Sequence, residues 1–250
     1  MKLKMLDLFS GIGGFSLAAH WTGQIETVAF CEIEPYPQKV LQKHWPDVPI
    51  FEDVRTLKGE DVGPVDIISA GFPCQDISTA GRQAGIGEGT RSGLWAEVAR
   101  LIGELQPRFA IVENVSALLS GPTELPGRWF GRVLGDLAEV GYDAEWHCVP
   151  AAAVGAPHNR DRVWIVAHPQ REGRQRLITD QGVFSGPEKA FPFSVHGSAG
   201  AWSDMVGGFA EVRSGDGLPV KLERNRLKAL GNSIVPQVAY EIFTAMLAAN

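Results

Sequence analysis

Short apolar runs alternate with stretches of helical spacing along most of the chain. Leu3 to Leu8 alternates as a strand does, and helix-like spacing follows to about Trp21. The same alternation returns as a strand from Ile25 to Cys31 and a helix from Glu34 to Trp45. Asp66 to Ala70 is a short apolar strand that ends in a Gly-Phe-Pro turn. Leu94 to Leu105 places Leu94, Val98, Leu101, Ile102 and Leu105 on one helical face, and Pro107 ends it. A buried strand follows from Arg108 to Val112, then a helix from Trp129 to Val140 and strands from Tyr142 to Val149 and Val163 to Ala167. Gln237 to about Ala248 is a last helix, with Val238, Ile242, Ala245 and Met246 on one side. Strands that alternate with helices predict an α/β protein built on a doubly wound, mostly parallel sheet.

The pattern breaks between Pro169 and about Leu222. Periodicity fades there, and glycine, proline, serine and charge rise. Arg171, Arg174 and Arg176 cluster at one flank, and Lys221, Arg224, Arg226 and Lys228 at the other. The expected organisation is therefore one domain from residues 1–168 plus 226–250, and a small irregular lobe over 169–225.

Composition narrows the class. The chain has 250 residues, 44% apolar and 21% charged, as ordinary soluble globular domains have. No stretch approaches the roughly 18 apolar residues of a membrane span, and the apolar run at the N-terminus is too short for a signal peptide. Three widely spaced cysteines argue against a disulfide framework and against a zinc site, so no metal is expected. A reducing cytoplasm is the natural compartment. The net charge of −6 does not by itself suggest a nucleic-acid partner.

Polar chemistry collects at the strand ends. Gly11, Gly13 and Gly14 form a turn between the first strand and its helix, an arrangement that lets a backbone approach a ligand. Ser16 stands where a dinucleotide fingerprint would place its third glycine. Glu32 ends the second strand about 20 residues beyond that turn, the distance at which such folds place a carboxylate on ribose hydroxyls. Asp53 lies at the end of another strand, where a solvated loop residue is the plainer reading. Cys74 follows the rigid Gly-Phe-Pro turn and precedes a glycine-rich stretch containing Arg82 and Arg91, as a nucleophile with a lid would. A small buried core residue is the competing reading for the thiol. Glu113 closes the next strand as a candidate acid, and Arg160 and Arg162 alternate before a later strand, where an exposed edge or an anion contact would both suit them.

Taken in order, these motifs have a counterpart. DLFSGIGGF from Asp7, Glu32, Asp53, GFPCQ with Cys74, ENV with Glu113, Arg-x-Arg before a strand, and GNSIVP near the end resemble the cytosine-C5 DNA methyltransferases of the bacterial or phage type. The match covers nearly everything except the irregular lobe. The resemblance implies a Rossmann-like class I methyltransferase domain with a small target-recognition lobe. It implies S-adenosyl-L-methionine as cofactor, held by Phe9, Gly11, Ile12, Gly14, Glu32, Ile33, Asp53, Val54, Pro73, Leu94, Asn232 and Ser233. Glu32 would hold its ribose and Asp53 its adenine amine. By the same resemblance Cys74 is the nucleophile, Glu113 holds N3 and the exocyclic amine, and Arg160 and Arg162 hold base and backbone. Duplex DNA is the implied partner, in a monomeric cytoplasmic enzyme, and a cognate restriction endonuclease would be its functional partner.

The chemistry explains the residue types. Attack of a thiolate at C6 turns the unreactive C5 of cytosine into an enamine-like carbon. Nearby arginines favour the thiolate, and a carboxyl at a dry strand end can hold the proton that N3 needs. The base must first leave the duplex. Three other readings compete. A nicotinamide oxidoreductase explains the glycine turn and Glu32 but not Cys74 with Glu113. An RNA cytosine-C5 methyltransferase of the same fold differs in substrate. A non-catalytic DNA-binding relative would have lost the thiol or the acid, and both are present. His158 and the segment from Arg213 to Pro219 depart from the family pattern, and no role is assigned to them.

Overall fold

The structure is a computed structural model and describes residues 1–73, 94–121, 127–170 and 220–248. Its centre is a sheet of strands β1 (Leu3–Leu8), β2 (Ile25–Cys31), β3 (Ile50–Phe51), β4 (Ile67–Ala70), β5 (Phe109–Val115), β6 (Tyr142–Pro150) and β7 (Asp161–Pro169). Their order is β3-β2-β1-β4-β5-β7-β6. The first five strands in that order form four parallel pairs, and β7 runs antiparallel to both β5 and β6. The chain winds outward from β1 to β3, then returns to β4 on the other side of β1. That reversal opens a crevice at the carboxyl ends of β1 and β4, where ligands bind in open α/β sheets.

Helices cover both faces. They are α1 (Gly14–Thr22), α2 (Pro35–His44), α3 (Gly59–Val62), α4 (Trp95–Leu105), α5 (Arg128–Glu139), α6 (Val220–Asn232) and α7 (Pro236–Ala248). Alternation along each strand divides the core. Leu6, Leu8, Ile68, Val112 and Ile165 point to α4 and α5, where Trp95, Val98, Leu101, Val133 and Leu137 meet them. Met5, Ile67, Ile111, Trp164 and Val166 point to α1 and α7, against Phe15, Ala18, Val238, Ile242 and Phe243. Phe15 meets the Trp164 ring edge-to-face at 5.8 Å. Asp7, Ser69, Glu113 and Arg162 fall on the α1 and α7 side by the same alternation.

Two differences from the sequence expectation stand out. β5 continues past Val112 to Val115, and β7 starts at Asp161 instead of Val163. The antiparallel ladder explains both, because Glu113↔Trp164, Asn114↔Val163 and Val115↔Arg162 pair backbone that carries polar side chains. The second difference is α6, a continuous helix from Val220 to Asn232 where no helix is expected. It crosses the expected lobe boundary at 225/226. Its spacing hides it, since Arg224, Arg226, Leu227, Lys228 and Leu230 are all exposed and no apolar stripe reports a buried face. No helix among the described residues is long and apolar enough to cross a membrane.

Candidate active site

The cofactor side of the crevice begins where β1 runs out. Phe9 and Gly11 both take left-handed backbone, at φ 53° and 54°. A non-glycine residue there is strained by roughly 1–3 kcal/mol, and such strain collects at ligand sites. A side chain on Gly11 would meet nothing within 4 Å, so its surroundings are open to a ligand. Glu32 braces this turn from β2. Its Oε2 accepts from the Gly11 amide at 2.7 Å, and its Oε1 accepts from the Glu34 amide at 2.8 Å. Burial pushes the Glu32 carboxyl above the usual carboxylate range, against the pull of those amides. Ile33 beside it is 60% exposed, an apolar surface at the rim of the turn.

Behind the turn lies a buried network outside the sequence expectation. Asp7 is fully buried on β1. Ser69 of β4 donates to its Oδ1 at 2.9 Å, and Ser16 of α1 donates to its Oδ2 at 2.7 Å. Thr27 of β2 in turn donates to the Ser16 hydroxyl at 2.8 Å. The residue in place of a third fingerprint glycine is therefore a hydrogen-bonding post. Burial pushes the Asp7 carboxyl up to about 7, partly opposed by the two hydroxyls. The sequence signal is an acidic residue inside an apolar strand with hydroxyl residues on its neighbours.

The other side of the crevice holds Glu113 near the end of β5. Arg162 comes to it from β7, with Nε 2.9 Å from Oε1. The N–H is not aligned on that oxygen, so the contact is one of charge, and Oε1 makes no hydrogen bond among the described residues. Burial raises the Glu113 carboxyl above its ordinary value, while Arg162 and then Arg160 oppose that rise. The next residue, Asn114, fastens two strands. Its Nδ2 donates to the Phe72 carbonyl at 3.0 Å, and its Oδ1 accepts from the Val115 amide at 2.9 Å. The turn Gly71-Phe72-Pro73 is thereby held against β5. Cys74, the residue after Pro73, lies outside the described residues, as do Arg82, Arg91 and nearly all of the expected lobe.

Ile234 joins the two sides. A methyl group built on Gly14 would fall 2.6 Å from Ile234 Cγ1 and 3.2 Å from the Ser233 hydroxyl. One built on Gly71 would lie 3.6 Å from Ile234 and 3.7 Å from Glu113 Oε2. The link between α6 and α7 thus brings Ser233, the glycine turn, the end of β4 and the acid together. Asn232 is exposed at the end of α6, and Ile12, Pro73 and Leu94 are half-buried. Val54 is buried. Asp53 is turned to Arg55, whose guanidinium donates to both its oxygens at 2.6 to 3.1 Å. Those bonds hold its carboxyl below the ordinary range. Among the cysteines, Cys31 is buried in β2 and its thiol is pushed up to about 12, while Cys148 is exposed on β6.

A doubly wound sheet with a braced glycine turn at its switch point and a buried acid–arginine pair beside it defines a Rossmann-like class I methyltransferase fold. Solved structures share it. A DNA modification methyltransferase encoded within an E. coli prophage superposes with a TM-score of 0.56 at 24% identity, over 74% of this chain and 55% of its own. Spodoptera frugiperda DNMT2 superposes with a TM-score of 0.56 at 20% identity, over 70% of this chain and 52% of its own. The family model of the C-5 cytosine-specific DNA methylases matches residues 3–199, and the chain belongs to that family. Type II methyltransferase M1.ScrFI of Lactococcus lactis subsp. cremoris is 36% identical over 170 residues, 68% of this chain and 42% of that protein. Type II methyltransferase M.AluI of Cellulosimicrobium cellulans is 35% identical over 193 residues, 70% of this chain and 36% of that protein. The chain spans about two fifths of the length of such curated relatives, 42% in the case of M1.ScrFI and also of M2.BsuMI.

Proposed function

We propose that this chain transfers a methyl group to C5 of cytosine in duplex DNA. One observation carries the reading. Glu113 is a buried carboxyl with a raised pKa, Arg162 lies at charge contact with it, and one of its oxygens makes no hydrogen bond among the described residues. Its Oε2 lies 3.7 Å from where a Cβ on Gly71 would stand, in the turn that leads to Cys74. A protonated acid in that place can give a proton to N3 of a base as a thiolate adds to C6.

The residues divide the work. The thiolate of Cys74 forms a bond to C6, and Glu113 holds the proton at N3 while electron density moves to C5. Arg162 would donate to the carbonyl oxygen of the base and keep positive potential beside the thiol. The C5 proton then passes to water, the sulfur–C6 bond breaks with its electron pair on sulfur, and N3 returns its proton to Glu113, which restores the thiolate and the aromatic base. The cofactor side fits S-adenosylmethionine, on the open approach at Gly11, the braced Glu32 and the exposed Ile33. When bound, S-adenosylmethionine supplies the methyl group that C5 takes. Glu32 would hold ribose hydroxyls, Ile33 the flat adenine and Asp53 its amine, Phe9 would lie along the methionine part, and Ser233 and Asn232 would form the near wall. Pro169 to Leu222 would supply target recognition. The Type II names of the relatives support a modification role opposite a restriction endonuclease.

The test is covalent trapping. Duplex DNA with 5-fluorocytosine at the target should form a denaturation-resistant adduct with the protein in the presence of S-adenosylmethionine, because fluorine cannot leave as a cation. Cys74→Ser should form none. Methylation of DNA without any adduct would overturn the covalent route. Transfer to tRNA but not to duplex DNA would overturn the substrate.

A further inference from the structure

We infer that Arg160 is a positioning residue for the cofactor half of the site, while Arg162 makes the close contact with the acid. The inference rests on the methyltransferase reading above and changes the role that the family resemblance gives to the first arginine. Arg160 stands just before β7, and its Nη1 donates to the Gly231 carbonyl at 2.6 Å. Gly231 is in the last turn of α6, where carbonyls lack helical partners and the helix end is negative. A guanidinium satisfies both demands at once.

What that carbonyl leads into matters most. Asn232, Ser233 and Ile234 follow directly, and Ile234 fills the space left by Gly14 and Gly71. By pinning Gly231, Arg160 sets where Ser233 and Ile234 press on the glycine turn. A second polar tie, Lys228 to Glu34 at 3.0 Å, joins α6 to the start of α2, with both side chains more than half exposed. Such pairs hold little. The Arg160 bond is therefore the stronger of these two ties. Arg162 has a different task, since its Nε lies 2.9 Å from Glu113.

The experiment measures S-adenosylmethionine binding by calorimetry and steady-state kinetics on duplex DNA, for the wild type, Arg160→Ala, Arg160→Lys and Arg162→Ala. Arg160→Ala should weaken S-adenosylmethionine binding about ten- to a hundred-fold, the usual range for a lost hydrogen bond to a charged group. Its KM for S-adenosylmethionine should rise more than its kcat at saturation falls. Arg160→Lys, which keeps one charged donor, should recover part of the affinity. Arg162→Ala should keep S-adenosylmethionine affinity within about twofold and lose kcat instead. Equal cofactor affinity in the wild type and a folded Arg160→Ala would overturn the inference, as would matching kinetic profiles for the two alanine variants. Should Arg160→Ala not fold, Arg160→Lys is compared with Arg162→Lys, and the inference stands only if the first raises that KM more. A wild type that binds no S-adenosylmethionine would overturn the function reading itself, and this inference with it.

Discussion

The parallel and antiparallel parts of the sheet deliver side chains to the same crevice from opposite ends of their strands. On β1, β2 and β4 the chemistry follows the strand, at Phe9 to Gly14, at Glu32 and at the turn before Cys74. On β7 it comes first, at Arg160 and Arg162, because an antiparallel strand begins at the edge where its neighbours end. The two parts also treat buried acids differently. Asp7 and Glu32 are held by neutral donors, hydroxyls for one and backbone amides for the other. Glu113 alone faces guanidinium groups. A buried carboxyl beside neutral donors is a brace. One beside a cation, with an oxygen free of hydrogen bonds among the described residues, is equipped to exchange a proton with a ligand.

That contrast predicts its largest effect at the acid. Glu113→Gln keeps the shape and removes the proton, so single-turnover methyl transfer should fall by roughly 10²- to 10⁴-fold. S-adenosylmethionine affinity, measured by calorimetry, should stay near wild type. A rate within tenfold of wild type would erase the distinction between the two kinds of carboxyl.

The neutral-donor side predicts a pH signature in stability. Asp7 titrates at about 7 in the fold against an ordinary value of 3.8, so the folded state holds a proton that the unfolded chain has already lost between those limits. Its contribution is complete below about pH 4 and disappears as pH rises through 7, a change of up to about 4 kcal/mol. Asp7→Asn cannot titrate. Urea unfolding at pH 5 and pH 8 should show a large loss of stability in the wild type and a smaller one in the variant. Parallel losses would mean that Asp7 keeps an ordinary pKa.

Glu32 separates bracing from catalysis. Glu32→Gln must turn an amide nitrogen toward one of the two backbone N–H groups that the carboxylate now accepts. S-adenosylmethionine affinity should fall by about 1.5–3 kcal/mol, the worth of hydrogen bonds to a charged acceptor. The rate at saturating S-adenosylmethionine should change far less than in Glu113→Gln. If both variants lose rate and affinity alike, the halves of the crevice are one unit.

How far the sequence discloses this arrangement depends on what each element buries. Strands such as Ile67–Ala70, buried on both faces, announce themselves as apolar runs. The glycine turn and Glu32 are legible because φ angles and strand ends restrict residue types. The pairing of polar residues is less legible: Glu113 reads as the close of one strand and Arg162 as lying before another, and only the β5–β7 ladder puts both inside strands and in contact. The brace at Asp7 needs three strands and a helix to assemble, and no spacing rule joins Ser16 to Ser69. Helix α6 buries none of the side chains described from Arg224 to Asn232, so that stretch of its sequence carries no stripe. The pairing of Ile234 with Gly14 and Gly71 is a match between a side chain and two missing ones, visible only in space.

The smallest predicted effect belongs to the second tie on α6. Lys228 and Glu34 meet at 3.0 Å, with side-chain exposures of 56% and 54%. Water screens such a pair, and two long side chains lose freedom in forming it, so it contributes less than about 1 kcal/mol. Lys228→Ala should lower the melting temperature by no more than about 2–4 °C. Raising sodium chloride from about 0.05 to 0.5 M should close most of that gap, because the screening length drops below about 10 Å. S-adenosylmethionine affinity should stay within about twofold of wild type, since the contact lies three residues before Gly231 and does not set its carbonyl. The result sharpens the comparison of the two ties. If Lys228→Ala weakens S-adenosylmethionine as much as Arg160→Ala does, α6 is held along its length by α2, and the antiparallel edge does not govern the cofactor turn.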